Sequence, residues 1–299
     1  MRIPIPLALL LLVLPVGAWQ AKQFPVKILR ISALFGESRG DHFHSGLDFA
    51  TPQAIYPCDE GEVLFASDAE TNPNRPVVGI GNHVIVEHEG GFRTHYMHLQ
   101  SGSIPKNLGP AKTGESLGFM GDSGYSMGAH LHLVVEDTKN GALVNPLKYL
   151  PTLEDTTRPQ LAGFLAMVKG NPRPFRFRDW MTMHWRGEMT LFLFAWDLRQ
   201  GFDPWKFRTV NADTGTSVKR VSLRVDDRLL REYDFSVLRK KPKGLVVDPH
   251  WSHDDIYGQK FNYRMGAFTP TEASHTFQVV VEDWSGNTLS EYFHVSFRQ

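Results

Sequence analysis

The chain has 299 residues, with 32 basic, 32 acidic and 13 histidine side chains, one cysteine and 41% hydrophobic residues. That length predicts about two domains, and the composition excludes disorder over most of the chain. Zero formal net charge argues against a dedicated nucleic-acid binder, and a single cysteine excludes both an intramolecular disulfide and every cysteine-rich zinc module.

In chain order, Arg2 is followed by an apolar stretch from Ile3 to Val16 and then by Gly17 and Ala18. Residues 1–18 read as a signal peptide cleaved after Ala18. The run is too short and proline-broken to span a bilayer, which takes about 20 residues. No later run approaches that length, so no transmembrane segment is expected. The chain is expected to be exported, to the periplasm or cell envelope. Residues 19–157 form the first expected domain, with strand-like runs EGEVLFASD (60–68), NHVIVEHE (82–89), FRTHYMHLQ (92–100) and HLHLVVEDT (130–138). NPLKYLPTLEDTTRP (145–159) reads as the linker. Residues 158–299 form the second domain, with MTLFLFAWD (189–197), VKRVSLRVDD (218–227) and a hairpin over 275–297 that turns at Ser285-Gly286-Asn287. Helical periodicity is nowhere sustained, so the expected fold class is all-β: a compact antiparallel β domain followed by a β-sandwich.

The two halves differ in charge. Residues 19–157 carry 10 basic and 16 acidic groups, net −6, whereas 158–299 carry 21 and 16, net +5. This opposition suggests docking of one domain on the other, or capture of an anionic envelope polymer by the second.

Eight of the histidines fall in the first domain. His44 and Asp48 stand four residues apart around Gly46, and His130 and His132 stand two apart, on one face of a strand. Two histidines and one carboxylate satisfy the three protein ligands of a catalytic zinc. Such a zinc lowers the pKa of its water and polarises a carbonyl, as amide hydrolysis requires. A third cluster, His95-Tyr96-Met97-His98-Leu99, puts His95 and His98 on opposite strand faces by parity, and parity leaves open which of them meets a site.

The set HSGLD (44–48), HYMHL (95–99) and GDSGYSMGAHLHL (121–133), with FGESRGDHFHSGLDF (35–49) before and VNPLKYL (144–150) after, resembles the lysostaphin/LytM-type zinc endopeptidases that cut peptidoglycan cross-links. The resemblance covers about residues 24–151. It implies one zinc per chain on His44, Asp48 and His132, and a catalytic pair, His98 and His130, sharing the roles of base and of oxyanion or leaving-group partner. It also implies peptidoglycan peptides as substrate and a zinc on the floor of a groove. A non-catalytic envelope-binding or hydrolase-activating protein using the same groove is the alternative, and a peptidase acting on other proteins is a third possibility.

The remaining candidates are expected to be structural. Cys58 is read as a buried, inert thiol. His42 reads as a groove or surface position, His95 as packed or solvent-facing, and His83 and His88 as strand surface. Arg39 is left between a substrate contact and a solvated loop. Gly118, Gly121, Gly124 and Gly128 are assigned to a tight loop. Gly121-Asp122-Ser123-Gly124 matches the nucleophile segment of chymotrypsin-like serine proteases, but the segment around their base histidine is absent. The second domain resembles an immunoglobulin-like or fibronectin-like sandwich. Within it, Arg239–Lys243 is read as an exposed loop, and 248–255 as liganding residue types without metal spacing.

Overall fold

The computed structural model describes residues 19–71, 78–106, 109–169, 175–197, 218–247, 250–257 and 263–298; the expected signal peptide, 1–18, lies outside them. Among the described residues the chain is almost wholly β. Its helical pieces are a 3-10 turn, Pro146–Lys148, and a four-residue helix, His253–Ile256. No helix of the described residues is long and apolar enough to cross a membrane.

In the first unit, strands Glu62–Ser67, Asn82–His88, Phe92–Leu99, Leu131–Asp137 and Ala142–Val144 lie side by side and antiparallel. Strand Leu47–Phe49 pairs with the start of 131–137, on the same side as 142–144 pairs with its end. Alternation sorts the side chains: Val84, Val86, Tyr96, Leu131, Leu133 and Val135 enter one core together with Cys58. His132, Val134 and Met97 take the other face. Cys58 is fully buried, as expected, and burial pushes its thiol up to about 12.

His83 and His88 correct the sequence reading, because both are buried. His88 stacks on Trp19 (4.8 Å between ring centroids), and its ring is bonded to the Glu60 carbonyl oxygen (2.8 Å) and the Thr94 hydroxyl (2.7 Å). His83 is bonded to the Gly81 carbonyl oxygen (2.8 Å) and stacks on Phe65 (5.2 Å). Each ring satisfies a polar atom locally, so burial carries no unpaired group.

The second unit has two sheets. One contains Phe175–Arg176, Gln160–Val168, Met189–Trp196 and Tyr263–Phe268; the other contains Trp180–Met183, Thr288–Phe297, Ser274–Glu282, Arg220–Val225 and Arg228–Asp234. Pairing is antiparallel except between 180–183 and 288–297, which run parallel. Phe164, Leu191 and Leu193 of the first sheet share a core with Leu223, Phe277 and Val279 of the second. The chain reverses at 283–287, as expected. The Asp283 carboxylate accepts from the amides of Ser285 and Asn287 (2.8 Å each), an Asx-type cap. The Asn287 side chain in turn donates to the linker carbonyls of Asp155 (3.0 Å) and Thr157 (3.2 Å).

One sheet runs through both units. Val237–Lys241 pairs with Ala142–Val144, and Gly244–Val247 and Trp251–Ser252 continue outward from it. The basic stretch Arg239–Lys243 is therefore part of a hairpin and not an exposed loop. Leu238 anchors it, fully buried, while the lysines point outward, and Lys240 crosses to Glu136 (2.7 Å). Phe35, Phe43, Met97, Val134 and Leu143 of the first unit join the same apolar cluster as Phe235, Leu238 and Tyr257.

Candidate metal centre

Strand register places the first two donors. Asp48 is the cross-strand partner of His132, so their side chains leave the sheet on the same face. Asp48 Oδ1 lies 2.7 Å from His132 Nδ1. Gly46 permits this approach: a Cβ there would stand 2.3 Å from the Leu133 carbonyl oxygen and 2.9 Å from the His132 ring. The glycine of HSGLD thus serves close approach of the two strands.

His44 arrives from the loop before the strand. Its Nδ1–H donates to the Leu34 carbonyl (2.7 Å), which turns the Nε2 lone pair inward, 3.0 Å from both Asp48 Oδ1 and His132 Nδ1. His132 Nε2 is bonded to the Ser45 hydroxyl (3.2 Å). Two imidazole nitrogens and a carboxylate oxygen, all buried, converge on one point. That donor set fits zinc, and the outer bond of each ring fixes its orientation as metal-binding histidines require. Burial tends to raise the Asp48 carboxyl, but the His44 and His132 rings outweigh it and hold Asp48 well below the usual carboxylate range. Burial also lowers the basicity of His132, against the pull of Asp48.

Arg39, left open by the sequence, sits on the second oxygen of Asp48, with its guanidinium 3.0 Å from Oδ2. Glu37, which no sequence feature singled out, is buried in the same loop and accepts from the Leu34 amide (2.9 Å). Desolvation pushes its carboxyl up to about 8, against the pull of Arg39.

His98 and His130 flank this centre, with ring centroids 4.7 Å apart, and His98 lies 6.0 Å from His132. His98 has a positive φ of 62°, and the strand register shifts beside it. This break in the pleat moves His98 from the Tyr96 face to the face of His132 and resolves the ambiguity that parity left. His98 Nδ1–H donates to the Ser123 carbonyl, and His130 Nδ1–H to that of Gly128 (2.8 Å each). Each ring therefore keeps its Nε2 lone pair, and His130 Nε2 reaches to 3.9 Å from Asp48 Oδ1. Burial lowers the basicity of His98, so it is neutral near pH 7.

Other candidates lie apart. His95 is paired with Glu136 (3.2 Å), and His42 is exposed beside Asp41. The Ser123 hydroxyl donates to the Leu99 carbonyl (2.7 Å) and accepts from the Asn82 amide (2.9 Å), an arrangement that fixes a loop, and the nearby His98 ring is bonded to the Ser123 carbonyl, not to its hydroxyl. Gly124 makes that loop possible, with φ of 79° and a Cβ position 2.4 Å from the Gly79 carbonyl oxygen.

The sequence over 42–146 matches the family model described as peptidase family M23. A second family model, with no descriptive name, matches 187–298. The N-terminal region is similar to the DD-carboxypeptidase/endopeptidase Mpg of Neisseria meningitidis serogroup B, 32% identical over 149 residues, which are 48% of this chain and 32% of that protein. It is also similar to the peptidoglycan DD-endopeptidase ShyA of Vibrio cholerae, 30% identical over 129 residues, covering 42% of this chain and 27% of the relative. Among solved structures, a zinc-containing peptidase from Vibrio cholerae aligns at 27% identity and a TM-score of 0.36, over 44% of this chain and 41% of that one. The chain thus spans about a third of the length of these curated relatives.

Proposed function

We propose that the protein is an exported, zinc-dependent endopeptidase that hydrolyses peptide cross-links of peptidoglycan. The observation that carries this reading is the convergence of His44 Nε2, Asp48 Oδ1 and His132 Nδ1 beside a second, separately anchored histidine pair. One zinc on those three donors would supply Lewis-acid polarisation of the scissile carbonyl and an activated water. The chain's own residues do the rest. Arg39 holds the carboxylate of Asp48 in place. His98 and His130, each with Nδ1–H tied to a carbonyl, offer Nε2 to take a proton from the attacking water and to return it to the leaving amine. The similarity to Mpg and ShyA supports peptidoglycan as substrate.

The proposed organisation is a signal peptide over 1–18, an endopeptidase domain over 19–157 and an immunoglobulin-like β-sandwich over 158–299 docked against it. The shared core of the two C-terminal sheets supports the sandwich, and the continuous sheet supports the docking. Apolar contacts and backbone pairing dominate that seam, so opposite net charge is a secondary contribution. Digestion of purified sacculi followed by mass spectrometry of the muropeptides, with and without a chelator, tests the reading. New amino termini that vanish on chelation are expected. Binding to sacculi without cleavage would favour the non-catalytic alternative.

A further inference from the structure

The loop 34–44 carries His44 and Arg39, and its inner bonds set the His44 ring. Further contacts come from the C-terminal unit. The Gly36 amide donates to the His44 carbonyl (2.9 Å), the His44 amide to the Glu37 carbonyl (2.7 Å), and the His44 ring to that of Leu34. The other side of the loop rests on residues some 200 positions later in the chain. The Tyr257 hydroxyl donates to the Gly36 carbonyl (2.9 Å), and both groups are buried. The Ser38 hydroxyl lies 2.7 Å from His253 Nε2. With its Nδ1–H directed at the Asp254 carboxylate (3.2 Å), the ring offers Nε2 as acceptor and the serine is the donor. Ser38 Oγ in turn accepts from the Gly40 amide (3.2 Å), at the tip of the loop.

Apolar packing points the same way. Phe43, immediately before His44, is 1% exposed and meets His253 edge-on (5.5 Å) as well as Tyr257 (5.9 Å). Gly36 has φ of 82°, and a Cβ there would stand 3.1 Å from the Phe235 ring. His253 and Tyr257 are themselves held firmly, at the two ends of the His253–Ile256 helix, which Ser252 and Asp255 close with a reciprocal capping box. This helix leaves the sheet directly after the strand 251–252 that continues it.

We propose that His253 and Tyr257 are positioning residues for the metal centre: the C-terminal unit sets the geometry of the His44 loop, and so tunes how tightly the M23 domain holds zinc. The proposal rests on the zinc reading above. Outer groups that orient metal-binding histidines typically change affinity by 10- to 100-fold, and these lie a further layer out, so about tenfold is expected.

The test uses the full chain, with Ser38→Ala, Tyr257→Phe and the double variant, each a loss of one or two oxygens. Zinc affinity is measured by competition with a chromophoric chelator, and amide hydrogen exchange is followed in the metal-free protein. A loss of about tenfold in zinc affinity is expected in the double variant. Exchange should be faster at the Gly36 and His44 amides and unchanged in the strand 82–88. His253→Ala should behave like Ser38→Ala, and His253→Gln, which can bond to the serine again, should recover part of the affinity. Affinity within twofold of wild type in the double variant overturns the proposal while leaving the zinc reading intact. Uniformly faster exchange in both units also overturns it, in favour of general destabilisation. Wild-type protein that binds no zinc, or a His44→Ala variant that binds it as tightly, removes both.

Discussion

Cys58 is the chain's one cysteine, and its burial makes it a quantitative reporter of opening. Its amide donates to the Tyr96 hydroxyl (2.7 Å), and its carbonyl accepts from the amides of Lys22 and Gln23 (3.0 Å each). Reagent can reach the sulfur only when the N-terminal segment lifts and the core around Tyr96 parts. Two factors protect the thiol in the closed state, and opening relieves both at once, so the opening equilibrium sets the rate. A thiol pushed from 9.0 to about 12 has its thiolate fraction lowered by about three decades at pH 8. An opening free energy of about 5 kcal/mol, typical of a core segment, exposes the site about one part in 5,000 of the time. Native protein should therefore react with Ellman's reagent at pH 8 more than a thousandfold slower than protein in urea, and the rate should rise with denaturant in step with unfolding. Stopped-flow absorbance supplies the rates, and intact mass confirms a single adduct. Native labelling within tenfold of the unfolded rate would refute the burial argument and put Cys58 within reach of redox chemistry.

Further outcomes are expected at other positions. Glu37 has a carboxyl raised to about 8, so the stability it contributes is complete below its ordinary value of 4.5 and is lost as pH rises through 8. In chelator, Glu37→Gln, which still accepts from the Leu34 amide, should flatten that slope, with a gain of up to about 5 kcal/mol at pH 8; thermal melts across pH 4 to 9 that stay parallel for the two proteins would contradict this. Ser123→Ala should lose about 1–2 kcal/mol of stability in urea titrations but retain sacculus hydrolysis, because the carbonyl that orients His98 remains; complete inactivation of a folded protein would revive the serine nucleophile. His130→Ala should bind zinc yet lower muropeptide release by at least a hundredfold, whereas His132→Ala should lose the metal as well. Phe43→Ala should cost about 3–5 kcal/mol by chemical denaturation, since the ring is 1% exposed and packs across the seam between the units.

Much of this architecture could be read from residue order alone. HSGLD and HLH carried their donors because strand period fixes which face a residue takes, and the pairing of Asp48 with His132 needed only two short strands in register. Strand parity alone could not place His98, which only the family resemblance pointed to, because a single positive φ reverses the face and no local composition signals it. The hairpin through Arg239–Lys243 was missed for a different reason. Its partner strand lies about 95 residues earlier, and its lysines look like a solvated loop until Leu238 is seen to be buried. The role of Arg39 stayed open and Glu37 was invisible, since their partners, Asp48 and the Leu34 amide, meet them only when the loop closes.

The strand 237–241 also seals what would otherwise be an open β edge. Without it, Ala142–Val144 would present unpaired amides and carbonyls next to Leu143, Val134 and Met97, stripped of their cover. A fragment ending at residue 157 would carry an adhesive border and should self-associate through it. The C-terminal unit therefore acts as a built-in guard against aggregation. Any recombination that moves the first unit into another chain must carry the 237–247 hairpin along or supply another cover for that border.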